Sequence, residues 1–509
     1  MDILAAHAAR HPERPAVLEG DRTLTWGEYV ALRNRLAHAL VERGLGSGAH
    51  VTVYAQNSIE HMLAGAAARA AGAIPLAMNH RLVAEEVAYI LDHSDARAVL
   101  LSDAFLPVVE AVRHQASKVR HWILMGDERR SWAEHLDDLI AEGRPEPVEL
   151  DAAQGFGASI IYTGGTTGRP KGAVRRGIDP QVVIEALRAL DLLDPNHVHL
   201  VAGPMYHSAP GGFALYSHMV GSTVVVMPHF DPESALAHIA RYRCTSTFMA
   251  PTLLKRIVDL PEAVRHRYDT SSMRVIIVAA APCPMSVKEA VMACFGPVLY
   301  EFYGSSELGV NTILRPEDVL RKPGSCGRAA PGRDLALLDD DGRPVAAGEP
   351  GELYVKAFSG VLDEYYKDPE ATRQIRRDDW YSVGDVAWMD AEGFYYICDR
   401  KRDMIISAGA NIYPAEIEDT LYRHPKIFDA AVFGVPDEDW GERVHAALQL
   451  QPGAALGAEE VIAFCRQHMA GYKVPREVSF HDALPRDPAG KLIKRQLRDP
   501  YWAGRAARI

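Results

Sequence analysis

Cysteines are few in this sequence, and their arrangement argues against a disulfide framework or a zinc site. The six are scattered, and none forms a C-x-x-C pair or lies beside a histidine cluster. Scattered thiols of this kind are typical of proteins from a reducing compartment. We therefore expect a cytoplasmic protein.

We also expect no segment for secretion or membrane insertion. The first residues lack the basic stretch that opens a signal peptide. The longest apolar runs, near 224–227 and 275–284, are far shorter than the roughly 20 residues of a membrane-spanning helix. We expect no transmembrane segment.

Basic residues do not predominate either, with 55 Lys and Arg against 67 Asp and Glu and a net charge of −12. This balance argues against nucleic acid as a partner, because phosphate contacts need a basic face. What is present is a chain of 509 residues that is 48% hydrophobic and 24% charged. Such a composition is typical of a globular enzyme with several domains or subdomains.

Apolar segments alternate with amphipathic helices through the first half of the chain. Predicted strands cover 50–55, 73–76 and 98–101, and a second alternation covers 179–249. This order predicts an α/β fold with parallel strands joined by helical crossovers. We expect two packed α/β sheets, with one large α/β domain as the alternative.

Short strands and Gly, Pro and Asp turns follow from about residue 324 and predict a β-rich subdomain. A charged link at 399–403 then leads into a smaller α+β tail. The expected domains are therefore 1–400 and 401–509.

The most informative stretch is 162–172, which reads Tyr-Thr-Gly-Gly-Thr-Thr-Gly-Arg-Pro-Lys-Gly after a predicted strand. Glycines allow backbone N–H groups to close around an anion, and hydroxyls and cations add donors for phosphate oxygens. The donors are Thr163, Thr166, Thr167, Arg169 and Lys171, and the glycines are Gly164, Gly165, Gly168 and Gly172. Pro170 and Gly172 rule out the P-loop of common NTPases. We interpret the stretch as a phosphate cradle, the alternative being an ordinary turn with a solvated lysine.

This stretch resembles the phosphate-binding signature of the adenylate-forming superfamily, which contains acyl- and aryl-CoA synthetases, luciferases and peptide-synthetase adenylation domains. Most members have serine at the position of Gly164. Further segments resemble the family in the same order along nearly the whole chain. The resemblance implies a large N-terminal AMP-binding domain and a small, mobile C-terminal domain.

The segment 205–210, Met-Tyr-His-Ser-Ala-Pro, resembles the family motif whose histidine lines the junction of the acyl pocket and the pantetheine tunnel. The resemblance assigns His207 to substrate positioning, the alternative being ordinary core packing. The absence of an aspartate here argues against an amino-acid substrate. The expected acyl pocket is apolar or small in character and consists of Met205, Tyr206, His207, Phe248, Ala279, Gly304 and Val310.

Two segments resemble the adenine-binding motifs of the family. They are the turn Ala280, Ala281 and Pro282 and the run Tyr303, Gly304, Ser305, Ser306 and Glu307. Small residues and a flat ring suit an adenine, and a carboxylate suits Mg²⁺. We expect Tyr303 to stack on the base and Glu307, with Thr163, to bind the metal. Alternatively, Tyr303 belongs to the core and Glu307 to the surface.

Asp385 and Arg400 resemble the two ribose contacts of the family, although Val383 stands where a threonine is usual. Arg402 matches the hinge position, where lysine or aspartate is commoner. Gly409 resembles the glycine that lines the tunnel, in a segment that also reads as a turn leading into a helix at Pro414.

Lys491, within Gly-Lys at the end of a Leu-Pro-Arg-Asp-Pro-Ala run, resembles the catalytic lysine of the family. The resemblance implies an ATP-dependent acid–CoA ligase with Mg²⁺. Lys491, His207, Thr163 and Lys171 would act in catalysis, and an acyl-adenylate would be the intermediate. The alternatives are an enzyme that loads a carrier protein and a non-catalytic nucleotide-binding homologue.

The identity of the acid is left open between fatty, alicyclic or steroidal, and aryl acids. The apolar pocket residues favour an uncharged hydrophobic acyl group. Gly164 and Arg175–Arg176 resemble fatty-acid and sterol-side-chain ligases of actinobacterial type. The partners expected are therefore small molecules, namely the acid, ATP and coenzyme A. The sequence is also compatible with a homodimer.

Overall fold

The computed structural model describes residues 2–149, 158–163, 170–400, 403–407, 410–437, 440–486 and 492–503. Within it, the side chains of Thr163, Asp399, Arg400, Ala410 and Asn411 are left undescribed. All six cysteines are free thiols. In this part of the chain, no helix is long and apolar enough to cross a membrane.

The first α/β unit is a parallel sheet with the strand order β4-β3-β5-β6-β7. Its strands are short and almost wholly buried, as the alternation predicted. The elements up to residue 142 are α1 Ile3–Arg10, β1 Pro15–Glu19, β2 Arg22–Thr25, α2 Trp26–Glu42, β3 His50–Tyr54, α3 Ile59–Ala70, β4 Ile74–Ala77, α4 Ala84–His93, β5 Ala98–Ser102, α5 Leu106–Val112, β6 His121–Met125, β7 Glu134–His135 and α6 Leu136–Glu142. A capping box between Thr25 and Glu28 fixes the start of α2.

The second α/β sheet is larger and holds the nucleotide motifs at its strand ends. Its elements, with a preceding hairpin, are β8 Ser159–Thr163, β9 Lys171–Arg175, α7 Pro180–Ala189, β10 Val198–Val201, α8 Ser208–Val220, β11 Thr223–Val226, α9 Pro232–Tyr242, β12 Ser246–Met249, α10 Pro251–Val258, α11 Glu262–Arg265, β13 Val275–Val278, α12 Met285–Phe295, β14 Leu299–Ser305, β15 Gly309–Leu314, α13 Pro316–Val319 and β16 Arg328–Ala329. The strand order is β16-β15-β14-β13-β12-β10-β11-β1-β2. The first strand of the chain therefore belongs to this second sheet, where β1 runs parallel to β11.

The two sheets pack against each other through α2 and α3. One buried cluster contains Val51 and Leu100 from the first sheet, Val201 and Val224 from the second, and the inner faces of both helices. The prediction of two packed α/β sheets is confirmed.

The region after residue 330 is β-rich, as predicted, and its strands pair in antiparallel fashion. Its elements are β17 Leu335–Leu338, β18 Gly351–Lys356, β19 Glu364–Tyr365, α14 Pro369–Gln374, β20 Arg376–Arg377, β21 Trp380–Tyr381, β22 Asp385–Met389 and β23 Tyr395–Arg400. β19 leaves this sheet and pairs with β9, which places it beside the glycine-rich hairpin. Asp399 and Arg400, which the sequence assigned to a charged link, instead end strand β23.

The C-terminal tail forms its own α+β unit with a separate hydrophobic core. Its elements are β24 Ile405–Ser407, β25 Ala410–Ile412, α15 Pro414–Tyr422, β26 Ile427–Asp437, β27 Gly441–Leu450, α16 Ala458–His468, β28 Glu477–Phe480 and α17 Lys494–Trp502. One contact with the larger part places the Lys255 ammonium 4.7 Å from the centre of the Phe428 ring. The boundary at residue 400 remains a prediction.

Candidate active site

The glycine-rich loop connects the two strands of an antiparallel hairpin, because Thr163 at the end of β8 faces Lys171 at the start of β9. Gly164, Gly165, Thr166, Thr167 and Gly168 lie outside the described residues, and Thr163 is described by its backbone alone. The Lys171 ammonium lies 3.2 Å from the Asp368 carboxylate and 5.6 Å from the centre of the Tyr365 ring. These contacts hold Lys171 at the base of the loop.

Glu307 sits in the turn of the β14–β15 hairpin and is buried. The Tyr365 hydroxyl donates to its Oε1 at 3.0 Å, so Tyr365 contacts both the predicted metal ligand and Lys171. Ser305 fixes the turn, since its Oγ accepts the backbone N–H groups of Glu307 and Leu308 at 3.2 and 3.1 Å. The structure thus brings the loop base and Glu307 together.

The donor set around Glu307 fits a magnesium ion shared with phosphates. Mg²⁺ in nucleotide sites is usually held by one or two carboxylates plus phosphate oxygens and water. Within the described residues, no group of three or more His, Cys, Asp or Glu could hold a metal by itself. Glu307 would therefore bind the ion together with ATP.

Tyr303, predicted to stack on the adenine, and Asp385, predicted to bind the ribose, are in direct contact. The Tyr303 hydroxyl donates to Asp385 Oδ2 at 2.6 Å. Asp385 and Arg400 are cross-strand partners in β22 and β23, so both predicted ribose contacts share one position in the sheet. Gly304 allows this arrangement, because a Cβ there would overlap the carbonyl oxygen of Gly309.

The Ala280–Pro282 turn follows β13 and carries an unusual backbone. Ala280 has φ of 76°, a left-handed conformation in which glycine is favoured. Just beyond the turn, the buried Lys288 on α12 forms an ion pair with Glu301 on β14. This pair joins the two adenine-motif segments, and no sequence motif pointed to it.

His207 is the N-cap residue of α8, and Ser208 in the first turn lies 3.0 Å, Oγ to Oγ, from Ser306. Burial is the main cause that lowers the pKa of His207 to about 4. Its Nε2 has no hydrogen-bond partner among the described residues. A neutral imidazole therefore directly precedes Ser208, the residue that contacts the β14–β15 turn.

His207, Met205 and Tyr206 line a cavity of about 150 Å³ between α3, the β8–β9 hairpin and α8. Phe248 and Ala279 do not line it; they belong to an apolar cluster on the sheet side of α8, against which Val310 packs. The structure thus gathers the expected acyl-pocket residues into two neighbouring groups.

Several site residues were not identified by the sequence motifs. Tyr365 and Asp368 reach the loop only because β19 pairs with β9, a long-range pairing without a local signal. Arg175 donates from Nη2 to the Ser306 carbonyl at 2.5 Å; the sequence pointed to Arg175–Arg176 only as a resemblance to certain ligases and not as a contact of the site. Lys491, Arg402 and Gly409 lie outside the described residues.

The chain matches the family model for AMP-binding enzymes over residues 4–366 and the model for the AMP-binding enzyme C-terminal domain over 416–491. It therefore belongs to the AMP-binding enzyme family.

Among curated relatives, it is 34% identical over 508 residues to the long-chain-fatty-acid–CoA ligase FadD13 of Mycobacterium tuberculosis, covering 98% of each chain. It is 32% identical over 515 residues to the fatty acid–[acyl-carrier-protein] ligase ScoC of Streptomyces coeruleorubidus, covering 99% of this chain and 96% of the relative. The crystal structure of the anthranilate CoA ligase AuaEII with anthranoyl-AMP superposes with a TM-score of 0.90 at 26% identity, covering 98% and 96%. The protein is an AMP-forming acid–thiol ligase of the acyl-CoA synthetase type that binds ATP and works through an acyl-adenylate.

Proposed function

We propose that the enzyme joins a hydrophobic carboxylic acid to coenzyme A and releases AMP and pyrophosphate. The observation that carries this proposal is that one hairpin, β14–β15, contacts the separate groups of predicted site residues. Tyr303 contacts Asp385, and Glu307 in the turn contacts Tyr365 beside the loop base. Ser306 in the same turn contacts Ser208, which lines the cavity beside His207.

In the first half-reaction, a carboxylate oxygen attacks the α-phosphate of ATP. An anion must approach a polyanion, so the barrier depends on positioned cations and donors. The loop with Lys171 takes the charge of the departing phosphates, and Glu307 would hold the Mg²⁺ that neutralises it. Lys491 would hold the carboxylate and the α-phosphate together. Removing one such contact typically costs a factor of about 10²–10³ in rate.

His207 is suited to positioning rather than to proton transfer. With a pKa of about 4, its ring is neutral near pH 7 and does not attract or repel the carboxylate as a charge. Its buried Nε2 can make one directional hydrogen bond to the acid or to the adenylate.

In the second half-reaction, the thiol of CoA attacks the mixed anhydride and expels AMP. A thiol near its usual pKa is already a usable nucleophile, so no dedicated base is required. What must change instead is the access of the CoA thiol to the acyl-adenylate. Rotation of the C-terminal unit about Arg402 would withdraw Lys491 and form the pantetheine tunnel at Gly409.

A carrier-protein thiol is the second candidate acceptor, and the similarity to ScoC is the observation that favours it. The proposal with free CoA places the enzyme in the cytoplasm, where ATP and CoA are both available.

The test is a panel of fatty, aryl, alicyclic and steroidal acids, scored for pyrophosphate release and for AMP formation with CoA or with a phosphopantetheinylated carrier protein. We expect acid-dependent pyrophosphate release and CoA-dependent AMP formation. Turnover with the carrier protein alone would favour the second candidate. A failure of every acid to release pyrophosphate would contradict the proposal.

A further inference from the structure

The cavity beside His207 contains two arginines and no residue of opposite charge. Most of its described lining is apolar or glycine, and none of it is Asp or Glu. The two charged side chains are Arg69, in the last turn of α3, and Arg175, at the end of β9.

Neither guanidinium is saturated by the protein. Arg69 donates from Nη1 to the Gly65 carbonyl at 3.1 Å, and Arg175 donates from Nη2 to the Ser306 carbonyl at 2.5 Å. The buried Nε of each has no hydrogen-bond partner within the described residues. Burial lowers the pKa of both side chains, yet arginine stays protonated in proteins. The carboxylates of Glu307 and Asp363 partly offset this effect of burial for Arg175, whereas only the rings of Tyr29 and Tyr216 do so for Arg69. A buried cation without a carboxylate beside it is costly, and a bound anion removes that cost.

The two arginines mark different ends of the cavity. Arg175 contacts Ser306, so it lies at the end where the nucleotide motifs converge. Arg69 lies on α3 among Tyr29, Met62 and Gly65 of the lining, on the side of the first sheet. Tyr216 also lines the cavity and acts to raise the pKa of both arginines.

The other titratable rings leave this charge pattern unchanged at neutral pH. His61, His207 and His218 also line the cavity, and burial lowers the pKa of each to about 4. The cavity is therefore an apolar space with a guanidinium at either end.

We propose that the acid activated by this enzyme carries a second carboxylate at its far end, which Arg69 binds while the reacting carboxylate lies beside Arg175. The inference rests on the proposed ligase function and specifies its substrate class as hydrophobic dicarboxylic acids. Charge-assisted, multiply hydrogen-bonded contacts of this kind are the strong ones in protein recognition.

The experiment compares octanoic acid, octanedioic acid and the neutral acceptor 7-oxooctanoic acid, with shorter and longer homologues, by kcat/KM for CoA-dependent AMP formation. The variants are Arg69→Gln, Arg69→Lys and, as a matched control, Arg188→Gln, an exposed arginine in the last turn of α7. Thermal unfolding shows whether each variant is folded.

We expect the wild-type enzyme to prefer the diacid over the monoacid of equal length. Arg69→Gln should lower the diacid-to-monoacid ratio of kcat/KM about 10- to 100-fold, mainly through KM. Arg69→Lys should keep part of the preference, and Arg188→Gln all of it.

Equal use of mono- and diacids by the wild type would overturn the inference, as would a parallel loss for both acids in Arg69→Gln. An oxo acid that matches the diacid would also overturn it, because the second group would then be a neutral acceptor. If no acid of any kind releases pyrophosphate, the proposed ligase function itself fails.

Discussion

Ala280 shows at the scale of one residue how the adenine turn is built. Its φ of 76° costs a residue with a Cβ roughly 1–2 kcal/mol, whereas glycine adopts it freely but loses about 0.5–1 kcal/mol through unfolded-chain entropy. Ala280→Gly should therefore raise the free energy of unfolding by about 0.5–1 kcal/mol in a urea titration.

The neighbouring Ala281 provides the control, because its φ is not positive. Ala281→Gly should lower stability by about 0.5–1 kcal/mol. Destabilisation by both substitutions would show that Ala280 is not strained.

Buried histidines give the fold an acid-sensitive component. Burial lowers the pKa of His199 to about 3 and those of His61 and His218 to about 4. The unfolded chain, with pKa values near 6.5, then binds more protons than the folded chain below that pH. The contribution of these neutral, buried rings to the free energy of unfolding is fully present above pH 6.5 and is lost as the pH falls toward the folded pKa values. For each ring it amounts to about 1.4 kcal/mol per pH unit between its unfolded and its folded pKa.

His199→Asn should flatten the decline of unfolding free energy between pH 6.5 and 4, because it removes one such ring while keeping a donor for Ser246. His114→Asn, at an exposed position, should leave the decline as it is. An unchanged slope in His199→Asn would contradict the expectation.

Among the elements, the β14–β15 hairpin has the most influence on the site. At Gly304 its register shifts, and a Cβ there would overlap the backbone of Gly309. Gly304→Ala should cost about 1–3 kcal/mol of stability and raise the KM for ATP, because Tyr303 and Glu307 on either side of it would move.

Gly471→Ala is the matched control, since a Cβ at Gly471 has nothing within 4 Å. Thermal unfolding and ATP-dependent pyrophosphate release would be measured for both variants. If the Gly304→Ala variant keeps the KM for ATP and the stability of the wild type, the hairpin tolerates the extra atom and the expectation is wrong.

The sequence predicted the strands and helices well wherever the hydrophobic pattern is local. The buried strands β3 and β5 lie within one residue of their expected bounds. The pairing of distant strands has no such signal. The insertion of β1 beside β11 and of β19 beside β9 depends on tertiary packing that periodicity does not encode.

The contrast between local sequence signals and long-range pairing also applies to the candidate active site. Tyr303, Asp385 and Glu307 were predicted through motifs, and the structure places Tyr303 on Asp385 and Glu307 on Tyr365. Tyr365, Asp368 and Arg69 carry no motif, because their proximity to the site is created by the fold. The buried Lys288–Glu301 pair was missed for the same reason.

The whole molecule consists of a large part that holds the nucleotide motifs and a C-terminal unit with its own core. If the unit rotates about Arg402, a proline there should restrict the rotation, since it fixes φ. Arg402→Pro should slow thioester formation from a supplied acyl-adenylate while leaving adenylation nearly unchanged, as measured by separate assays of the two half-reactions. Equal loss of both would contradict the hinge assignment.

We propose that one chain performs two half-reactions and that Lys491 serves only the first. The most direct test of this proposal is Lys491→Ala, assayed by acid-dependent exchange of labelled pyrophosphate into ATP and by CoA thioester formation from a synthetic acyl-adenylate. Exchange should fall by about 10²–10³ while thioester formation continues at close to the wild-type rate. Equal loss of both activities, or undiminished exchange, would contradict the proposal.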